Sequence, residues 1–171
     1  MSEHILLAGI STRALAQSAA RAGYKVTSLD FFGDNDQPSD ARVLSLVRDL
    51  HLPPTLLNLA EAASTFAGDV DTIVVESGLE NETSFFTLLP PEKMLGNSLE
   101  SIQGVRDPSQ LKAALAGTGM QLPNTYTHWM ALPQSGGYLR KDLTHSGGMG
   151  VTAWDPARPL IAGEMVQQLV E

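Results

Sequence analysis

Three short apolar runs, each closing on a polar or glycine-bearing turn, limit what this chain can fold into. They are Ile5-Leu6-Leu7-Ala8-Gly9-Ile10, residues 25–30, and Asp71-Thr72-Ile73-Val74-Val75-Glu76. Each is too brief for a helix and suits a strand of a parallel sheet, buried on both faces. Residues 13–22 are rich in Ala, Leu and Gln and place Leu15, Ala19 and Ala22 on one helical face. Ser11 or Thr12 is positioned to cap that helix, and Gly23 to stop it. Helices are also expected at 40–50 and 56–66, divided by Pro53-Pro54. Strands alternating with helices imply a parallel sheet with right-handed crossovers, whose ligands collect beyond the C-terminal strand ends.

Three polar stretches meet at that edge: 9–13, 30–36 and 76–82. Gly9 and Asp30 have the spacing of a dinucleotide loop and its ribose-binding acid, but Ser11 and Ala14 stand where further glycines belong. A tight turn with a helix cap is the favoured reading of that loop. An NAD(P)-binding Rossmann protein is kept as an alternative.

The second half changes character. Glu80-Asn81-Glu82-Thr83 caps a short helix through Phe85 and Leu89, ended by Pro90-Pro91, and residues 94–97 resemble a short strand. Asp107-Pro108-Ser109 starts a helix, with Asp as N-cap and Pro at its first position, that runs to Gly117 or Gly119. Residues 94–122 read as a hinge. From Gly136 the pattern becomes antiparallel: a strand at 138–143, a glycine-rich turn at 144–150, and a returning strand at 151–154. Such a turn offers several backbone N–H groups to an anion, Ser146 adds a hydroxyl, and Lys141 on the flanking strand adds a point charge. The Lys precedes the glycines and a strand follows them, so this is not a Walker A loop. A plain solvent-exposed turn is the competing reading.

Charge narrows the partners. Eleven basic and nineteen acidic residues give 11 − 19 = −8, with no basic run, which argues against nucleic-acid binding. The chain has no cysteine for a disulfide or thiolate chemistry. It contains no apolar run of membrane-spanning length and no signal peptide, so no membrane partner and a cytoplasmic location are expected. The four histidines, His4, His51, His128 and His145, lack metal-ligand spacing, and no metal site is assigned.

Several motifs together resemble the ATP-grasp superfamily, and more narrowly the ATP-dependent carboligases of methanogens and methylotrophs. They are Ala8-Gly9-Ile10-Ser11-Thr12-Arg13, Asp30-Phe31-Phe32-Gly33-Asp34-Asn35-Asp36, Ser77-Gly78-Leu79-Glu80-Asn81, Leu95-Gly96-Asn97 and Val105-Arg106-Asp107-Pro108. Leu139-Arg140-Lys141, Ser146-Gly147-Gly148-Met149-Gly150-Val151 and Gln167-Gln168-Leu169-Val170-Glu171 follow in order. The resemblance implies an α/β fold: a Rossmann-like parallel-sheet pre-ATP-grasp domain over 1–97, then an incomplete α+β ATP-grasp lobe with an antiparallel hairpin over 98–171.

The resemblance also implies roles. Lys141 matches the lysine that contacts the ATP phosphates, and Ser146, Gly147, Gly148 and Gly150 match the loop that closes over them. Arg106 matches a further phosphate contact, usually Lys. Gln167, Gln168 and Leu169 match the edge that holds adenine through its backbone, and Glu171 lies near the ribose-binding acid. Arg13, with Ser11, Asp30 and Glu80, would face the acceptor substrate, Arg13 touching its carboxylate. No catalytic residue is assigned. The family's magnesium ligands follow the adenine edge, so they are expected beyond Glu171, in a longer protein from which this chain is a fragment or a naturally shortened form.

The function implied is an ATP-dependent ligase that activates a small carboxylate as an acylphosphate for attack by an amine or other nucleophile. The chain alone is expected to be inactive, and a homo-oligomer is left open. A non-catalytic binding or assembly module retaining the pre-ATP-grasp fold is the alternative from another class.

Overall fold

A computed structural model describes every residue except Met1, Glu80, Trp129, Met130, Ser146 and Glu171. The site roles expected of Glu80, Ser146 and Glu171 therefore lie outside the described residues. The chain divides into two compact units, Met1–Leu99 and Glu100–Glu171.

The first unit is built on β1 (His4–Ala8), β2 (Lys25–Asp30), β3 (Arg42–Ser45) and β4 (Thr72–Val75). All neighbours in the order β3-β2-β1-β4 are parallel. β1 lies inside the sheet, and its alternating side chains feed two cores. Leu6 and Ala8 join Leu29, Leu59, Ile73 and Phe85, packing against α2 (Leu56–Phe66) and α3 (Ser84–Leu88). Ile5 and Leu7 join Val26 and Ala16 of α1 (Arg13–Arg21). Cover on both faces is why these strands read as unbroken apolar runs.

The helix expected at 40–50 is not formed. Residues 42–45 instead extend the sheet, Thr27 to Asp30 pairing with Arg42 to Ser45. Val43, Leu46, Val47 and Leu50 imitate helical spacing, which is what misleads the sequence reading. Local side-chain bonds turn the chain after β3: Ser45 N–H donates to Asp49 Oδ2 at 2.7 Å, and Arg48 N–H donates to Ser45 Oγ at 3.0 Å. Residues 94–97 form no strand, and Met94 makes a single parallel bridge to Ile73. Gly23 does end α1, at φ 85°. Thr12 precedes α1 without a side-chain cap bond, because its hydroxyl turns inward.

The second unit contains α5 (Pro108–Ala114), whose N-cap Asp107 accepts from the N–H groups of Ser109 (2.7 Å) and Gln110 (3.1 Å). The helix stops three residues short of Gly117. A preceding helix not expected from sequence, α4 (Leu99–Arg106), begins at the division between the units. The antiparallel sheet comprises β5 (Thr125–Tyr126), β6 (Tyr138–Asp142), β7 (Val151–Ala153) and β8 (Glu164–Gln168), in the order β5-β8-β6-β7. No helix among the described residues is long and apolar enough to cross a membrane.

Candidate nucleotide face and sheet rim

Strand register sorts the side chains of the second sheet. Arg140 pairs with Thr152 and Val166, so these three share one face. Around Arg140 that face is closed, although Thr152 is exposed: Arg140 Nη1 donates to Glu164 Oε2 at 2.5 Å, the guanidinium lies 5.0 Å from the Trp154 ring centre, and Arg158 Nη2 reaches Glu164 Oε1 at 3.0 Å. The other face carries Lys141 between Val151 and Met165, and a second row of Ala153, Leu139, Gln167 and Thr125. It is half-open to solvent. A cation on a mainly apolar, open sheet face can hold a phosphate beside a flat apolar ring. Among the described residues Lys141 makes no ion pair, and its ammonium donates to Gln167 Oε1 at 2.6 Å.

The glycine turn leaves the end of β6, next to Lys141. Gly147, Gly148 and Gly150 all have positive φ (64°, 80° and 75°), a backbone that disfavours side chains, and all three residues are exposed. The entry to the turn is fastened. Asp142 Oδ1 accepts from the Thr144 hydroxyl (2.6 Å) and N–H (2.9 Å), and its Oδ2 lies 3.1 Å from His145 Nδ1. The Thr144 hydroxyl, its N–H and then His145 hold the Asp142 carboxyl below its ordinary pKa. Arg106 Nη2 donates to Leu143 O at 2.6 Å and His145 O at 3.2 Å, so this cation sits against the same entry. At the expected adenine edge, the N–H of Gln168 is bonded to Asn124 O and that of Leu169 to Gly137 O, each at 2.8 Å. A hollow of about 1080 Å³ between α5 and β5, lined by Leu115, Met120, Pro123 and Thr125, contains neither Lys141 nor the turn.

At the C-terminal rim of the parallel sheet, carboxylates already occupy the backbone donors. Glu76 Oε2 accepts from the N–H groups of Ile10 (3.0 Å) and Ser11 (3.3 Å). Gly9 permits this approach: a Cβ there would lie 2.5 Å from that oxygen and 2.7 Å from the Glu76 Cβ. Asp30 is buried and accepts five bonds, from Thr12 N–H (3.2 Å), Thr12 Oγ1 (3.0 Å), Phe32 N–H (3.1 Å), Gly33 N–H (2.6 Å) and Gln37 Nε2 (3.0 Å). Asp30 thus ties its own loop to the start of α1. Ser11 Oγ donates to Asp34 Oδ2 at 2.9 Å, and the exposed Arg13 pairs with Asp36 at 2.8 Å. Among the described residues no three His, Asp or Glu side chains gather to hold a metal.

No protein-family model and no curated protein matches the chain. Solved structures do. N5-carboxyaminoimidazole ribonucleotide synthetase from Thermotoga maritima is 12% identical at TM-score 0.57, over 99% of this chain and 46% of its own. L-amino acid ligase from Bacillus licheniformis is 15% identical at TM-score 0.61, over 99% and 44%. N5-carboxyaminoimidazole synthetase from Staphylococcus aureus, complexed with ADP, is 17% identical at TM-score 0.59, over 98% and 47%. The chain has the fold of the matched portion of these ligases. It spans less than half the length of each. The α/β architecture implied by the ATP-grasp motifs is the one observed, a parallel sheet followed by an antiparallel one.

Sequence reasoning missed Glu76 at the first loop and the side-chain work of Gln167 and Thr125. The signal for Glu76 was the acid closing the third apolar run. Nothing local in sequence links Thr125 to Gln167, which only strand pairing brings together.

Proposed function

We propose that this chain binds ATP on the Lys141 face, as part of an ATP-grasp ligase. The ligase moves the γ-phosphoryl group of ATP to a carboxylate oxygen, giving an acylphosphate and ADP. An amine or other nucleophile then attacks the acyl carbon and expels phosphate. The observation that carries this reading is Lys141 on an open sheet face at the foot of a turn with three positive-φ glycines. Lys141 neutralises phosphate oxygens, and the peptide N–H groups of the turn, with Ser146, take the others. Arg106 braces the entry of that turn. The edge at Gln167, Gln168 and Leu169, with Glu171 beyond it, meets the nucleoside.

At the rim of the first unit, Arg13 is the cation offered to an acceptor carboxylate, with Ser11 and Glu80 nearby in the motif and Asp30 fixing the loop. The narrower likeness to the carboligases of methanogens and methylotrophs rests on motif order. Among the described residues no three acidic or histidine side chains gather, and no step is routed through a magnesium ion.

Calorimetry on the chain and on Lys141→Ala tests the reading. ATP should bind the unaltered chain, and the variant should bind roughly 10- to 100-fold more weakly, the worth of a charge-assisted contact. Absence of binding in both, with the fold intact, favours the second reading, a non-catalytic assembly module. That reading draws support from the exposed Val105, Met120, Met149, Ile161 and Val170 of the second unit. The dinucleotide reading is disfavoured, because Glu76 already sits on the N–H groups that a pyrophosphate would need.

A further inference from the structure

A chain of hydrogen bonds runs across the nucleotide face, and its donors and acceptors have one consistent assignment. Thr125 Oγ1 donates to Pro123 O at 2.9 Å, which uses its single proton. Its lone pair then accepts from Gln167 Nε2 at 3.0 Å. That fixes which end of the Gln167 amide faces Thr125, and leaves Oε1 directed at the Lys141 ammonium 2.6 Å away. The strand register makes this reachable. Thr125 and Gln167 are directly paired, and Lys141 is the diagonal neighbour, two residues beyond Leu139, the partner of Gln167 on β6.

We propose that Gln167 is a positioning residue for Lys141, holding its ammonium over the sheet face through an amide that Thr125 locks in orientation. This rests on the ATP-binding reading of the face and adds to Gln167 a side-chain role beside the backbone contact implied by the motif. The device has two physical consequences. A long lysine side chain loses rotamer freedom before the ligand arrives, so less is lost on binding. A neutral acceptor also leaves the charge of Lys141 uncompensated. An arriving phosphate replaces an amide–ammonium bond with a stronger charge-assisted one, whereas a carboxylate in place of Gln167 would compete with the phosphate.

Two measurements test this. In the nucleotide-free chain, the side-chain amide resonances of Gln167 should shift in both Thr125→Val and Lys141→Met. If neither substitution moves them, the relay is absent and the proposal fails, whatever ATP does. In ATP titrations, Gln167→Glu should weaken binding by about tenfold or more, with the loss shrinking as salt is raised and smaller for AMP than for ATP. Thr125→Val should weaken ATP binding several-fold, and it carries the test if Gln167→Glu does not fold. Equal ATP affinity in the unaltered chain and both variants, alongside a loss in Lys141→Ala, would overturn the proposal and leave the nucleotide reading standing. No ATP binding by the unaltered chain would remove both.

Discussion

A buried carboxylate is tolerated when every oxygen lone pair has a donor, and Asp30 meets that condition from three directions. Its spacing from Gly9 was legible in the sequence, but its partners were not, because ribose and backbone N–H groups ask for the same acid. Asp30→Ala would strand several buried donors at once, and a loss of at least about 2 kcal/mol is expected in urea unfolding. A loss below roughly 1 kcal/mol would contradict the tie assigned to it. Asp49 offers a pH prediction. The Arg48 guanidinium, bonded to both carboxylate oxygens, and the Ser45 N–H pull its pKa from 3.8 to about 2. A folded-state pKa below the unfolded one means the stabilisation is complete above about pH 4 and disappears as pH falls through about 2. Acid unfolding monitored by circular dichroism should therefore be shallower across that window in Asp49→Asn, and an unchanged profile would count against the bidentate pair.

Elements were legible where one force dominated. β1, β2 and β4 are apolar runs with cover on both faces, and α2 runs over the expected 56–66 after Pro53-Pro54, with Thr55, not singled out in the sequence, capping it by accepting from the Asn58 N–H. β3 was not, since its Val43 and the residues after it, Leu46, Val47 and Leu50, repeat at helical intervals, while an open edge of β2 offers ladder bonds that no local pattern reveals. The closed face of the second sheet was equally hidden: Arg140 sits beside Lys141 in sequence, yet alternation sends the two to opposite environments. Arg140 and Glu164 are both nearly fully buried, so removing one partner leaves an uncompensated charge. Glu164→Ala should destabilise this unit by about 3–5 kcal/mol. Arg158→Ala removes an exposed arm of the same cluster and should cost less than about 1 kcal/mol. Denaturant curves giving similar losses for both would reject this division of roles.

At the scale of the molecule, apolar burial is unequal. Both apolar core clusters lie within Met1–Leu99, whereas among the described residues of Glu100–Glu171 the buried apolar side chains are Trp154 and Val166. A domain of that size with so little apolar interior is marginal. Residues 1–99 expressed alone should unfold cooperatively in urea, and residues 100–171 alone should show weak amide-exchange protection. Two equally cooperative transitions would refute the asymmetry. The two-sheet order was readable from the switch between unbroken and alternating apolar runs, but this imbalance was not, since it depends on which side chains the pairing encloses. The rim of the better-buried unit has its own bias. Glu76 is a permanent tenant of the first loop, so a dinucleotide approaching that mouth meets a lodged negative charge where it needs bare amides. The sign of the charge at that mouth is thus set before any shape: a carboxylate holds the amides, and the nearby cation, Arg13, is already matched by Asp36.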